Sequence, residues 1–263
     1  ARGHSRRRRG WASAEAPPLR MVTTTWTGAG ADIPSAPVAP FATSASPSNP
    51  QPTVAAALAP FPPNDVGRDG CVLVRNTQRT VELSVETIEA QLRALLALIG
   101  CAHMDVGLWL ASDASVRKMN SDYRGMAKST DILSFPFHEE LRPHHDLMDF
   151  VETEDDMNLG DMVISVPYVV RACARDEKEA RAVGQTKWQE EAEQTRGVSG
   201  AMSLTFDVTE RVPLLLVHGV CHLLGHDHIE DDDYEGMVAE EERLIGELKA
   251  RGLLGGGGAS GGH

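Results

Sequence analysis

The chain has 263 residues and a net charge of −13, yet eleven of its fifteen prolines fall in the first seventy positions. Seven of the 25 Lys and Arg and four of the 38 Asp and Glu lie there too, so an arm of +3 precedes a remainder of −16. No run of about eighteen apolar residues occurs, so neither a membrane-spanning helix nor a membrane partner is expected, and Cys71, Cys101, Cys173 and Cys221 lie too far apart for a disulfide framework or a cysteine zinc ribbon.

Residues 1–70 carry too little periodic apolar content to build a core. Arg6 to Arg9 open a stretch rich in Ala, Ser, Thr and Pro, in which Glu15 and Asp32 are the acids before Pro63. That composition reads as an organelle transit peptide. A disordered basic tail, or an arm touching nucleic acid through Arg6 to Arg9, is the alternative. Residues 71–252 are expected to form one domain, and 253–263 a Gly-rich flexible tail.

Within the domain, Cys71 to Arg75 reads as a strand. Ile88, Leu92, Leu95, Leu96 and Ile99 recur at spacings of three and four, which predicts an amphipathic helix over Val85 to Ile99. Met104 to Leu110 is a second strand, followed by a helix capped by Ser112 or Asp113 and running to about Asp122. Asp131 to Phe137 and Leu159 to Ser165 complete the strands, and helices are predicted over Val169 to Gln194, Val212 to Leu224 and Tyr234 to Arg251. The fold class is α+β, a small mixed β-sheet covered by helices, one of which bears histidines. His138 to Asp156 and Glu230 to Glu242 each carry eight acids and are expected to be solvated, the first as a loop insertion, the second as the start of the last helix.

The most specific chemistry lies in His218-Gly-Val-Cys-His222-Leu-Leu-Gly225-His226-Asp227-His228. On a helix, residues four apart differ by about 40° around the axis, so His218 and His222 project from one face. Gly225 can end the helix in a left-handed conformation and return His228 as a third ligand. Three imidazoles leave a fourth tetrahedral position open, the pattern of a catalytic zinc site. The metzincin peptidases use the same offsets with a glutamate after the first histidine, a position held here by Gly219, so their general base is missing. Asp227 could orient a ligand imidazole, act as acid or base, or stabilise the turn. His226 reads as exposed or in contact with substrate, and Cys221 as a packed thiol rather than a ligand.

A second cluster, Arg117, Lys118, Arg124 and Lys128, stands in the acidic domain with only Asp122 and Asp131 beside it. Alone it reads as an exposed helix end. Beside a hydrolytic metal site it reads as a phosphate site, with Arg124 and Lys128 as substrate contacts.

Tyr123-Arg124-Gly125, Thr130 to Pro136 (TDILSFP), Leu159 to Ser165 (LGDMVIS) and the histidine motif together resemble the YbeY family, over about Val72 to Leu248. The resemblance implies a single-metal endoribonuclease of ribosomal RNA maturation and ribosome quality control. It places one Zn2+ per chain on His218, His222 and His228, Arg124 beside the metal, and ribosomal RNA or the small subunit as partner, with no DNA expected. The chain departs from the family pattern at His226 and Cys221, in the stretches 138–158 and 182–206, and in the N-terminal arm. The arm points to a chloroplast, with a mitochondrion as the alternative. A metal-stabilised assembly factor without turnover would use the same residues, and a metallopeptidase is the more remote reading.

Overall fold

A computed structural model describes residues 67–228 and 231–254. Residues 1–66 and 255–263, with the targeting and flexible-tail roles expected of them, lie outside the described residues. Four strands form one mixed sheet in the order β1-β2-β4-β3. β1 (Val72–Asn76), β2 (Asp105–Ala111) and β4 (Asn158–Ser165) run parallel, and β3 (Ile132–Pro136) lies antiparallel to β4 at the edge.

α1 (Val85–Leu98) links β1 to β2. The Ser84 hydroxyl accepts the Thr87 N–H at its start, and Ile88, Leu92, Leu95 and Leu96 of the anticipated stripe are buried. Alternation along the strands divides the sheet between two cores. Val106, Leu108, Leu110, Ile132, Met162 and Ile164 pack into the larger one, with α1 and α6 (Val208–Leu223). Ala111, Leu133, Phe135 and Val163 face the other way, against Val116 of α2 (Asp113–Arg124), which Ser112 caps. The mixed sheet and its helical cover are as expected. No helix among the described residues is long and apolar enough to cross a membrane.

Several boundaries differ from the sequence expectation. The helix predicted over Val169 to Gln194 is two, α3 (Val166–Val183) and α4 (Gln185–Gln194), parted at Gly184 with φ 98°. A short α5 (Gly197–Ser203), not anticipated, follows. α6 begins four residues before the predicted Val212, because Asp207 caps it by accepting the Thr209 N–H. Leu253 and Leu254, assigned by sequence to the tail, are each 8% exposed and belong to the core, where Gln91 donates to the Leu253 carbonyl. At the other end Arg68 pairs with Asp105 at 2.8 Å, so the body starts before position 71. The stretch His138 to Asp156 contains two single 3-10 turns, Leu147–Phe150 and Glu154–Asp156.

α6 is the element that carries the site. Every residue from Arg211 to Leu223 is buried, as expected for a helix enclosed on all sides. Arg211 enters this core paired with Asp176 of α3 at 2.8 Å. α7 (Asp231–Ala250) packs along α6 and α5.

Candidate metal centre

His218 and His222 stand one helical turn apart near the end of α6, with Gly219 facing the sheet between them. A Cβ on Gly219 would lie 2.4 Å from the Met162 sulfur and 2.8 Å from Ile132 Cδ1. The helix meets the sheet at this glycine, which leaves the two imidazoles on a different side. The helix then closes as a Schellman turn: His226 N–H donates to the Cys221 carbonyl and Gly225 N–H to that of His222, with Gly225 at φ 83°. The turn brings His228 back, its ring stacked on His218 at 5.9 Å and edge-on to His222 at 5.1 Å. One ring nitrogen from each of the three lies within 4.8 Å of the others, the arrangement the spacing predicts.

The hydrogen bonds prepare the imidazoles as ligands. His222 Nδ1 contacts the His226 carbonyl oxygen at 2.9 Å, and since a carbonyl can only accept, the proton sits on Nδ1. His218 Nδ1 likewise meets the Glu241 carboxylate at 2.7 Å. Both Nε2 atoms then carry lone pairs, and they face each other 3.0 Å apart. Two lone pairs at that distance call for a cation between them. Tetrahedral zinc would set the pair about 3.4 Å apart, given Zn–N bonds of about 2.0–2.1 Å, so the site fits a metal with a shift of a few tenths of an ångström. Burial, then the neighbouring His218, hold His222 well below the ordinary histidine value of 6.5. Burial likewise lowers His228. Neutral imidazole is the ligating form.

Glu241 is the residue that sequence reasoning missed. It lies in the acidic stretch expected to be solvated, yet it is 5% exposed, and its second oxygen accepts the Val198 N–H at 2.8 Å. The carboxylate thus ties the metal-bearing helix to α5 and fixes the His218 tautomer. The signal was present in the spacing: Met237, Val238, Leu244, Ile245 and Leu248 form the buried stripe of α7, and position 241 falls on it.

The remaining candidates separate. Asp227 accepts the His228 N–H at 2.7 Å, the turn-stabilising contact, and also lines the cavity beside His222. Cys221 is fully buried, and burial pushes its thiol up, as suits a packed residue. Arg124 ends α2, which covers the sheet face opposite α6. It is half-buried, burial weighs against its charge, and it makes no hydrogen bond or ion pair among the described residues. Lys128 is exposed, its carbonyl held by Asn120 at 2.8 Å. Neither lines the cavity of about 160 Å³ beside His222, whose far wall is the loop bearing His138, Leu141 and Arg142.

The family model described as Endoribonuclease YbeY matches residues 73–186 and 195–249, leaving out most of α4. Curated relatives named Endoribonuclease YbeY include one from Desulfitobacterium hafniense, 30% identical over 72% of this chain and 90% of its own length. A human relative of the same name is 25% identical over 68% of this chain and 89% of its own length. One from Prochlorococcus marinus is 27% identical over 80% and 98%. A solution structure from Thermotoga maritima aligns over 73% of this chain and 99% of that one at 19% identity and a TM-score of 0.36, too loose an overlap to bear on the site. With the match spanning both sides of the histidine motif, the chain belongs to the YbeY endoribonuclease family.

Proposed function

We propose that this chain hydrolyses phosphodiesters within single-stranded regions of ribosomal RNA, in maturation and quality control of an organelle ribosome, with one zinc ion on His218, His222 and His228. The observation that carries the reading is the convergence of three ring nitrogens within 4.8 Å, two of them freed for a metal by partners on the opposite ring nitrogen. Zinc bound there would supply Lewis acidity toward a phosphoryl oxygen and toward water. The chain's own residues do the rest. Asp227, on the cavity wall, is placed to take or return a proton with the oxygen not spent on the turn. Arg124, a cation with no protein partner among the described residues, would hold a substrate phosphate that lies outside the cavity beside His222, with Lys128 adding charge. Gly219 explains why the peptidase reading fails: the position of the peptidase glutamate faces the sheet, where a side chain has no room.

Incubating the full chain and zinc with an end-labelled ribosomal RNA fragment is expected to give internal cleavage. Arg124→Ala should keep its metal but cleave at least tenfold more slowly, about 1.4 kcal/mol of transition-state stabilisation. An Arg124→Ala protein cleaving at the unaltered rate with zinc bound would remove the phosphate role. Bound zinc and RNA without cleavage would favour a non-turnover assembly factor, which the acidic body, poor in phosphate contacts, also suits.

We also propose that residues 1–70 direct the chain to a chloroplast. A fluorescent protein fused behind them should accumulate in that organelle. Accumulation in mitochondria would reassign the address, and a cytosolic reporter would leave the basic arm as a nucleic-acid contact.

A further inference from the structure

The cavity beside His222 presents an electrostatic problem to an RNA chain. Glu139, Asp227 and Asp233 line it, against a single Lys or Arg, Arg142. Arg142 lies in the loop with eight acids between positions 138 and 156, yet it pairs with none of them. Its Nη1 donates to two carbonyl oxygens instead, Glu139 at 2.9 Å and Leu141 at 2.7 Å. Nη2 and Nε have no partner among the described residues. The guanidinium is therefore braced by uncharged groups and keeps its full charge and half of its fork.

Its place relative to the histidines is set by backbone. A Cβ on Gly225, midway between His222 and His228, would lie 2.2 Å from the Leu141 carbonyl oxygen and 3.0 Å from Arg142 Cα. The loop thus rests on the turn that completes the metal centre. Arg142 and His226 also line the adjoining groove of about 810 Å³, whose walls include Ile99, Leu147, Met148 and Leu224. Arg142 therefore stands on the wall that the cavity and this partly apolar groove share, with the Arg243–Glu240 pair and Asp146 as the groove's other charged lining.

We propose that Arg142 grips an RNA backbone phosphate next to the scissile one, and that the attached nucleotide lies in this groove. The proposal rests on the RNA reading of the metal centre. A planar fork matches two phosphate oxygens, and apolar and imidazole walls suit an unstacked base, the usual division of labour in single-strand binding. The role is distinct from that of Arg124, which does not line either space.

The test is binding of a fluorescein-labelled single-stranded oligoribonucleotide to the full chain, followed by anisotropy at several salt concentrations. Arg142→Gln keeps N–H groups that can brace the two carbonyls but loses the charge. It should retain zinc and its melting temperature, bind at least tenfold more weakly, and show a log Kd against log salt slope shallower by about 0.7. Arg142→Lys should keep the slope and recover only part of the affinity. Arg142→Gln with unaltered affinity and slope, or Arg142→Lys losing as much as Arg142→Gln, would overturn the proposal and leave the residue a loop brace. Arg142-dependent binding without cleavage by the unaltered chain would remove the hydrolase reading while the phosphate contact stands. Cleavage with binding indifferent to Arg142 would do the reverse.

Discussion

Replacing His222 by alanine is expected to abolish stoichiometric zinc binding and reduce RNA cleavage to background. The side chain is 1% exposed and its tautomer is fixed by the His226 carbonyl, so no neighbouring nitrogen can take its place. Because only the folded chain assembles the site, zinc at one hundred times its Kd should stabilise the unaltered protein by about 2.7 kcal/mol and leave His222→Ala unmoved. Glu241→Gln should give a graded result. It keeps one acceptor where the carboxylate serves both His218 Nδ1 and the Val198 N–H, so metal affinity is expected to fall about 10- to 100-fold, with the ion still bound at saturation. The proton linkage has a definite sign. His222 and His228 stay neutral in the fold below the ordinary value of 6.5, whereas the unfolded chain takes up those protons, so the chelated protein should lose stability as pH falls through about 6.5. Metal analysis, chelator competition and melting curves at pH 7.5 and 5.5 check these outcomes. Full zinc occupancy in His222→Ala would dismantle the site.

The parts of this molecule legible in sequence are those whose cause is local. The stripe from Ile88 to Leu96, the short apolar runs of β2 and β4, and the His218, His222, Gly225, His228 spacing each encode a geometry within one element and its cap. What escaped depends on partners distant in the chain. Asp176 and Arg211, which no spacing within their own elements singles out, form at 1% and 3% exposure a buried pair across 35 positions. The acidic run around Glu241 hides the stripe it shares with Val238 and Leu244. The break at Gly184 was missed for a different reason. A single glycine inside a helix costs only about 1 kcal/mol relative to alanine, so a run of helix-forming residues on both sides gives no reason to stop.

Gly219→Ala is expected to destabilise the fold without removing the metal. In an exposed helix the change would gain about 1 kcal/mol. Here the new methyl would meet Met162 and Ile132, side chains 0% and 2% exposed in the core between α6 and the sheet. Both contacts are flexible side-chain ends, but they are enclosed, and overpacking of that kind typically costs about 1–3 kcal/mol. The balance is a loss of up to about 2 kcal/mol, or about 2–4 °C in Tm for each kcal/mol in a domain of this size. Zinc stoichiometry should persist, because His218 and His222 project away from the sheet contact. Gly219→Glu goes further: a carboxylate driven between Met162 and Ile132 would be buried with no partner, and the chain should fail to fold rather than become a peptidase. Urea denaturation of the alanine variant decides the matter. A Gly219→Ala protein at least as stable as the unaltered chain would mean that α6 does not seat on the sheet through this glycine.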